Sequence, residues 1–272
     1  MSASEAGHGV GPRSLLHGVA AVWTVASFQL QRMLTRPRLM LAAIGVAFPA
    51  AVMLAATRAA RGLLETDLSI LMLYALIPEA VCMLGLLVTM CPAVADELER
   101  GTWVHIAVRP GGRRALLLGT YVSAVIWTAA VAMLAMTVAL IVTPLHHRLE
   151  AARVLATLVG LSCVGRAALF ALPAVILPKR ALVASVGLAI VVEYLACAIP
   201  ALVNQATVSL RLRSLLVDWM GWRRKLPPEM EVLIDPQPPW VQILAVGILV
   251  VVLLTAAVLI LERRQFPPSE EL

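Results

Sequence analysis

Three ionisable residues stand inside apolar runs, where a lipid-buried chain avoids charge. Glu79 follows Pro78 in "LYALIPEAVCML", Arg166 lies in "LSCVGRAALF" and Glu193 in "AIVVEYLACA". A charge at the bilayer centre costs roughly 2.5–3.5 kcal/mol on insertion scales, so each needs a partner, a wet cavity or a task. Arg166 precedes Lys179, and Glu193 follows Arg180, by the same thirteen residues (179 − 166 and 193 − 180). Two antiparallel helices joined at that turn would bring both groups to one depth, roughly 20 Å from it by helical rise. An Arg166–Glu193 ion pair then either fixes the hairpin structurally or lines a substrate path. Glu79 sits where a proline removes a helix hydrogen bond. It lines a central polar cavity or pairs across a dimer, and such groups also suit a proton-coupled carrier.

The densest charge lies elsewhere, in "ADELERGTWVHIAVRPGGRRALLLG", residues 95–119, which holds three acids and four arginines between two apolar blocks. "ADELER" places acids at a helix start, where they favour the helix dipole. Gly101 bends or ends that helix, and Pro110-Gly111-Gly112 makes a turn. Arg113 and Arg114 come next, where a new helix begins.

The elements that position these residues are membrane spans. The chain is 61% hydrophobic and 14% charged, against about 25% charged in soluble domains. Its apolar residues come in blocks near the roughly 20 residues that cross a bilayer. Six blocks predict spans at about 39–57, 69–92, 115–143, 155–178, 181–203 and 240–261. Pro49, Pro78 and Pro173 fall inside them, at positions that kink a helix. The fold class is therefore all-α and polytopic.

Residues 15–34 are apolar but broken, and predict an amphipathic helix in the membrane interface ahead of the first span. Trp23, Phe28 and Met33 take the apolar side, and Gln29, Gln31 and Arg32 face water. The competing reading is a seventh span. The start, "MSASEAGHGVGPRSLL", does not read as a signal peptide. With both termini in the cytoplasm, twelve basic residues flank the inner ends against four in the first two outer loops, as the positive-inside rule expects. The third outer loop, 204–239, weakens this bias with Arg211, Arg213, Arg223, Arg224 and Lys225. It reads as short helices at the outer interface anchored by Trp219 and Trp222, followed by a proline-rich stretch, and offers a surface for an extracytoplasmic partner.

Several functions are excluded. The net charge of +6 is explained by residues beside the spans that meet anionic lipid, not by nucleic acid. Cys82, Cys91, Cys163 and Cys197 lie in apolar runs, where thiols act as small hydrophobes. No Cys/His spacing indicates a metal. No GxxxxGK[ST], HExxH or GxSxG motif is present, so the chain holds no ATP or other cofactor and is not a catalyst alone.

The loop resembles the first cytoplasmic loop of ABC-2 type transporter permeases. Their Glu, Gly-Thr, then Pro with a small turn and Arg before a long span is matched by Glu99, Gly101, Thr102, Pro110 and Arg113, with Gly119 in the next span. Thr120 stands where many members have lysine, and Trp103 and His105 where many have aliphatic or acidic residues. "LERRQFPPSEEL" resembles the short basic tail, so the likeness covers nearly the whole chain. It implies an export permease of a bacterial inner membrane, with a cytoplasmic segment 1–38, a six-helix domain 39–261 and a tail 262–272. It also implies a second permease subunit and two separate ATPase subunits that bind ATP and magnesium. Residues 93–114 become the coupling loop, with Glu97, Glu99 and Arg100 as polar contacts. Gly101 supplies the bend, Thr102 caps the segment after it, and Arg113 anchors the third span. A membrane scaffold or signalling subunit and a secondary transporter are the alternatives.

Overall fold

The structure is a computed structural model that describes residues 12–60, 65–103, 105, 108–109, 111–145, 148–195, 207–225 and 237–264. The described residues are helical throughout, without strands. We number the helices α1 (Pro12–Met33), α2 (Arg36–Ala59), α3 (Thr66–Glu99), α4 (Gly112–Val142), α5 (Arg148–Ile176), α6 (Ala181–Ala189), α7 (Val208–Trp219) and α8 (Pro239–Arg263). Five of them, α2, α3, α4, α5 and α8, are long and apolar enough to cross a membrane. The predicted span 181–203 is described to Leu195, as α6 and a π-helical turn, Ile190–Leu195. Its last eight residues lie outside the described set.

Local sequence explains several boundaries. Pro37 and Pro239 fall in the first turns of α2 and α8, where the missing N–H costs nothing. Pro78 sits inside α3 and cannot donate to the helix ladder. Around it the helix widens into a π-helical turn, Ala75–Val81, a form that concentrates at functional sites. Pro49 and Pro173 lie within helices that remain α-helical around them.

The long helices alternate in direction, which defines a loop end, holding the described residues between Ala95 and Gly111, and a far end. α5 is the axis: α3, α4, α6, α7 and α8 all pack on it. Of its most apolar stretch 72% is buried, against 11% for α2, which rests mainly on α4. Lipid tails are as apolar as leucine, so close packing, not burial from water, holds such helices together. α1 packs along α4, and Gly119 lets the two approach closely. A Cβ there would sit 2.6 Å from the Val25 side chain and 3.0 Å from the Val22 carbonyl. Cys82, Cys91 and Cys163 are buried and free.

Two expectations change. Trp23 and Phe28 face outward from α1, whereas Met33, Ala26 and Gln29 are buried. Gln29 is tolerated inside because the Glu97 carboxylate accepts from its amide. α7, read as an interfacial element, packs against α5 and α8, and eight of its twelve residues are buried. The residue facing it on α5 is Gly165, where a Cβ would lie 3.1 Å from both Val208 methyls. Its far end is held by Trp222, whose indole N–H donates to Asp67 at 3.0 Å. Trp219 and Trp222 thus border the core at the far end, partly buried.

Candidate functional site

All three charges of the apolar runs meet. Arg166 has no exposed surface. Its guanidinium donates to the Glu79 carboxylate, to Glu193 at 3.4 Å, to the Ser209 hydroxyl at 2.8 Å and to Ser162 one turn back at 2.8 Å. It also donates to the carbonyl of Pro78, which accepts Ser162 as well at 2.6 Å. That carbonyl belongs to the widened turn of α3. The predicted Arg166–Glu193 contact exists, but Glu79 is the closer partner.

Glu193 has a second role. Its carboxylate accepts the backbone N–H groups of Val208 at 3.2 Å and Ser209 at 3.0 Å, and the Ser209 hydroxyl at 2.5 Å. These amides open α7 and lack intrahelical partners. A carboxylate there satisfies them and matches the positive end of the helix dipole. Thr207 completes the cap by accepting from Leu210 N–H at 3.3 Å. The Tyr74 hydroxyl donates to the other Glu79 oxygen at 2.6 Å. The cluster therefore joins four elements: α3, α5, the turn after α6, and α7. Two carboxylates face one guanidinium, a formal charge of −1 shared with three hydroxyls. Glu79 is the outward member, with 14% of its side chain exposed against 1% for Glu193.

The second polar site is at the loop end. Glu97, expected to face a partner, is turned inward. It accepts Arg32 at 2.9 Å, Gln29 at 3.4 Å and the Thr102 hydroxyl. Asp96 lies 3.6 Å from Arg32 and 3.8 Å from Arg38. α1 is thereby clamped to the end of α3. Thr102 reaches back to Glu97, its hydroxyl donating to the Glu97 carboxylate and carbonyl; residues 104, 106 and 107 of the segment it is expected to cap lie outside the described residues. Gly101 has φ +69°, the left-handed backbone that favours glycine, so the expected bend is present. Glu99, Arg100, Gly101 and Thr102 are exposed. Pro110 lies outside the described residues.

Arg113 closes the loop from the other side. Its guanidinium donates to the carbonyls of Glu262 at 3.0 Å, Arg264 at 3.2 Å and Leu261 at 3.4 Å. These belong to the C-terminal end of α8, where a cation complements the dipole. The same group lies 5.7 Å from the ring centroid of buried Trp103. Arg113 therefore anchors α4 to the end of α8. The hairpin is braced on α1 through Glu97 and on α8 through Arg113, with Glu99–Thr102 as its free edge. Comparison with protein-family models, curated proteins and solved structures finds no match.

Sequence reasoning found the three intramembrane charges and missed their hydroxyl partners. Ser162 was within reach, four residues before Arg166 on one helical face. Tyr74, five residues before Glu79, meets it only because Pro78 widens the turn. Ser209 and the Arg32–Gln29–Glu97 contact link distant segments and leave no local signal. Among the described residues, no group of three or more His, Cys, Asp and Glu side chains could hold a metal ion.

Proposed function

We propose that the chain is the membrane subunit of an ATP-driven exporter in a bacterial inner membrane, working by alternating access with a separate ATPase. The observation that carries this reading is the braced loop. A free polar edge, Glu99–Thr102, stands on a hairpin tied to α1, α4 and α8. Force on that edge is passed to α1 through the Arg32–Glu97 contact and to α8 through Arg113. Binding ATP needs phosphate-cradling amides; passing on a push needs only a stiff, hydrogen-bonded lever.

In this reading α1 lies in the cytoplasmic interface, with Trp23 and Phe28 in the headgroups. Both termini are cytoplasmic, and α6 with the residues after it supplies the sixth span. α7 enters from the outer side to mid-depth, where Glu193 receives it. A second copy or a related permease completes the pathway, and two ATPase subunits bind ATP and magnesium. The carboxylate excess at Glu79 and Glu193 favours one alternative, a proton-coupled carrier that needs no ATPase.

Copurification in mild detergent, followed by reconstitution with the recovered ATPase, tests the proposal. Glu99→Ala and Gly101→Val are expected to leave a correctly inserted protein whose transport is lost. Their ATP turnover is expected to fall, or to become independent of the membrane subunit. Transport driven by a pH gradient alone, with no ATPase recovered, would establish the carrier instead.

A further inference from the structure

A cavity of about 770 Å³ opens at the far end, between the first turns of α5 and the end of α7, remote from both sites above. Its polar walls are Arg148, Glu150, Arg153 and Thr157; Val154 and Trp219 supply apolar surface. Glu150, Arg153, Val154 and Thr157 are spaced i, i+3, i+4 and i+7, so they share one face of α5. Among the described residues neither Glu150 nor Arg153 forms an ion pair, although they stand three positions apart on that face. Arg148 spends one N–H on the Thr143 carbonyl at 3.1 Å and keeps the rest of its fork.

Depth gives the cavity its ligand. At 29 residues, α5 is about 43 Å long by helical rise, and the hydrocarbon core is about 30 Å thick. The charged turn Lys179–Arg180 marks its loop-end boundary. Counting roughly 20 residues back from that turn reaches the neighbourhood of Thr157. Arg153–Thr157 therefore stand in the headgroup layer, with Glu150 and Arg148 one to two turns above it, and the lower part of the cavity opens where lipid phosphates lie.

We propose that this cavity binds the headgroup of a zwitterionic phospholipid, a phosphate joined to a primary ammonium. Arg148 and Arg153 offer the forked donors that suit phosphate oxygens. Glu150 and the Trp219 ring offer a carboxylate and a π-face to the ammonium. Glu150 also disfavours headgroups that carry only negative charge. The inference holds whether or not the chain works with an ATPase.

Native mass spectrometry of the full chain, released from micelles with equal phosphatidylethanolamine and phosphatidylglycerol, is the test. The wild type is expected to retain phosphatidylethanolamine preferentially. Arg153→Gln lowers that retention about tenfold, the worth of one charge-assisted contact. Glu150→Gln keeps lipid bound but abolishes the preference. Equal retention of both lipids by the wild type, or retention unaffected by either substitution, would overturn the proposal. A second arm adds soluble glycerophosphoethanolamine. Weak competition is expected from it, since it lacks acyl chains. Arg153-dependent binding as tight as that of the lipid would overturn the lipid source.

Discussion

Arg166 in the buried middle of α5 and Arg32 at the loop end perform the same pairing in opposite surroundings. Arg166 has none of its side chain exposed and meets carboxylates that are 14% and 1% exposed. Arg32 is 17% exposed, and of its partners Asp96 is 30% and Glu97 8% exposed. In the first site water cannot replace a lost partner, so every donor and acceptor constrains the others. In the second, water stands beside one half of the network and can take over when a contact opens. The difference separates a fixed joint from a movable one. The Arg166 cluster holds α3, α5 and α7 together, whereas the Glu97 clamp lets the hairpin shift against α1 at modest cost.

The largest effect tests the dry side of this comparison. Arg166→Leu leaves two carboxylates without their cation and is expected to destabilise the fold by on the order of 3–5 kcal/mol. The check is the yield of monodisperse protein and its melting in detergent. Glu193→Gln should cost less, because Arg166 keeps Glu79. Glu79→Gln should cost least of the three, leaving one guanidinium against one buried carboxylate. Equal losses from all three would show that charge balance does not govern the site. Replacing Arg166 and Glu193 together should recover part of the loss, and strict additivity would mean that the two never meet.

The wet side predicts smaller numbers and a salt dependence. Glu97→Gln removes a charged acceptor from Arg32, Gln29 and Thr102 and is expected to cost about 1–3 kcal/mol. Hydrogen exchange along α1 should rise in this variant while the amides of α5 stay protected. Raising salt should weaken the Arg32–Asp96 and Arg38–Asp96 contacts, which lie within reach of screening ions. It should leave the Arg166 cluster unaffected. Exchange rising equally in α1 and α5 would erase the distinction between the joints.

How much of the molecule was legible in the sequence depends on the range of each interaction. The spans could be read because apolar length is a local property. Glu79, Arg166 and Glu193 could be singled out because charge in an apolar run is conspicuous. The depth match of Arg166 and Glu193 came from counting along two helices joined by a tight turn. The inward turn of Glu97 was hidden, since its partners lie 65 and 68 residues away. So was the placement of α7. "VSLRLRSLLVDW" carries three charges, ends on Trp219 and is followed by Trp222, a pattern suited to an interface, yet its first amides are claimed by a carboxylate fifteen residues earlier.

The smallest stability effects fall at the free edge of the hairpin. Glu99→Ala should change melting by less than about 0.5 kcal/mol, as exposed substitutions do. Gly101→Val forces a β-branched residue into the left-handed region, at a cost of roughly 1–2 kcal/mol. Both are expected to impair transport far more than stability.

The most direct measurement places a photo-crosslinking amino acid at Glu99 or Arg100, and in a separate sample at Leu149 on the far end, in the full chain within its native membrane. The account predicts that positions 99 and 100 capture an ATP-hydrolysing subunit and that position 149 does not. Capture of the same ATPase from position 149, or of none from 99 and 100 while the protein transports, would contradict the coupling role of this loop.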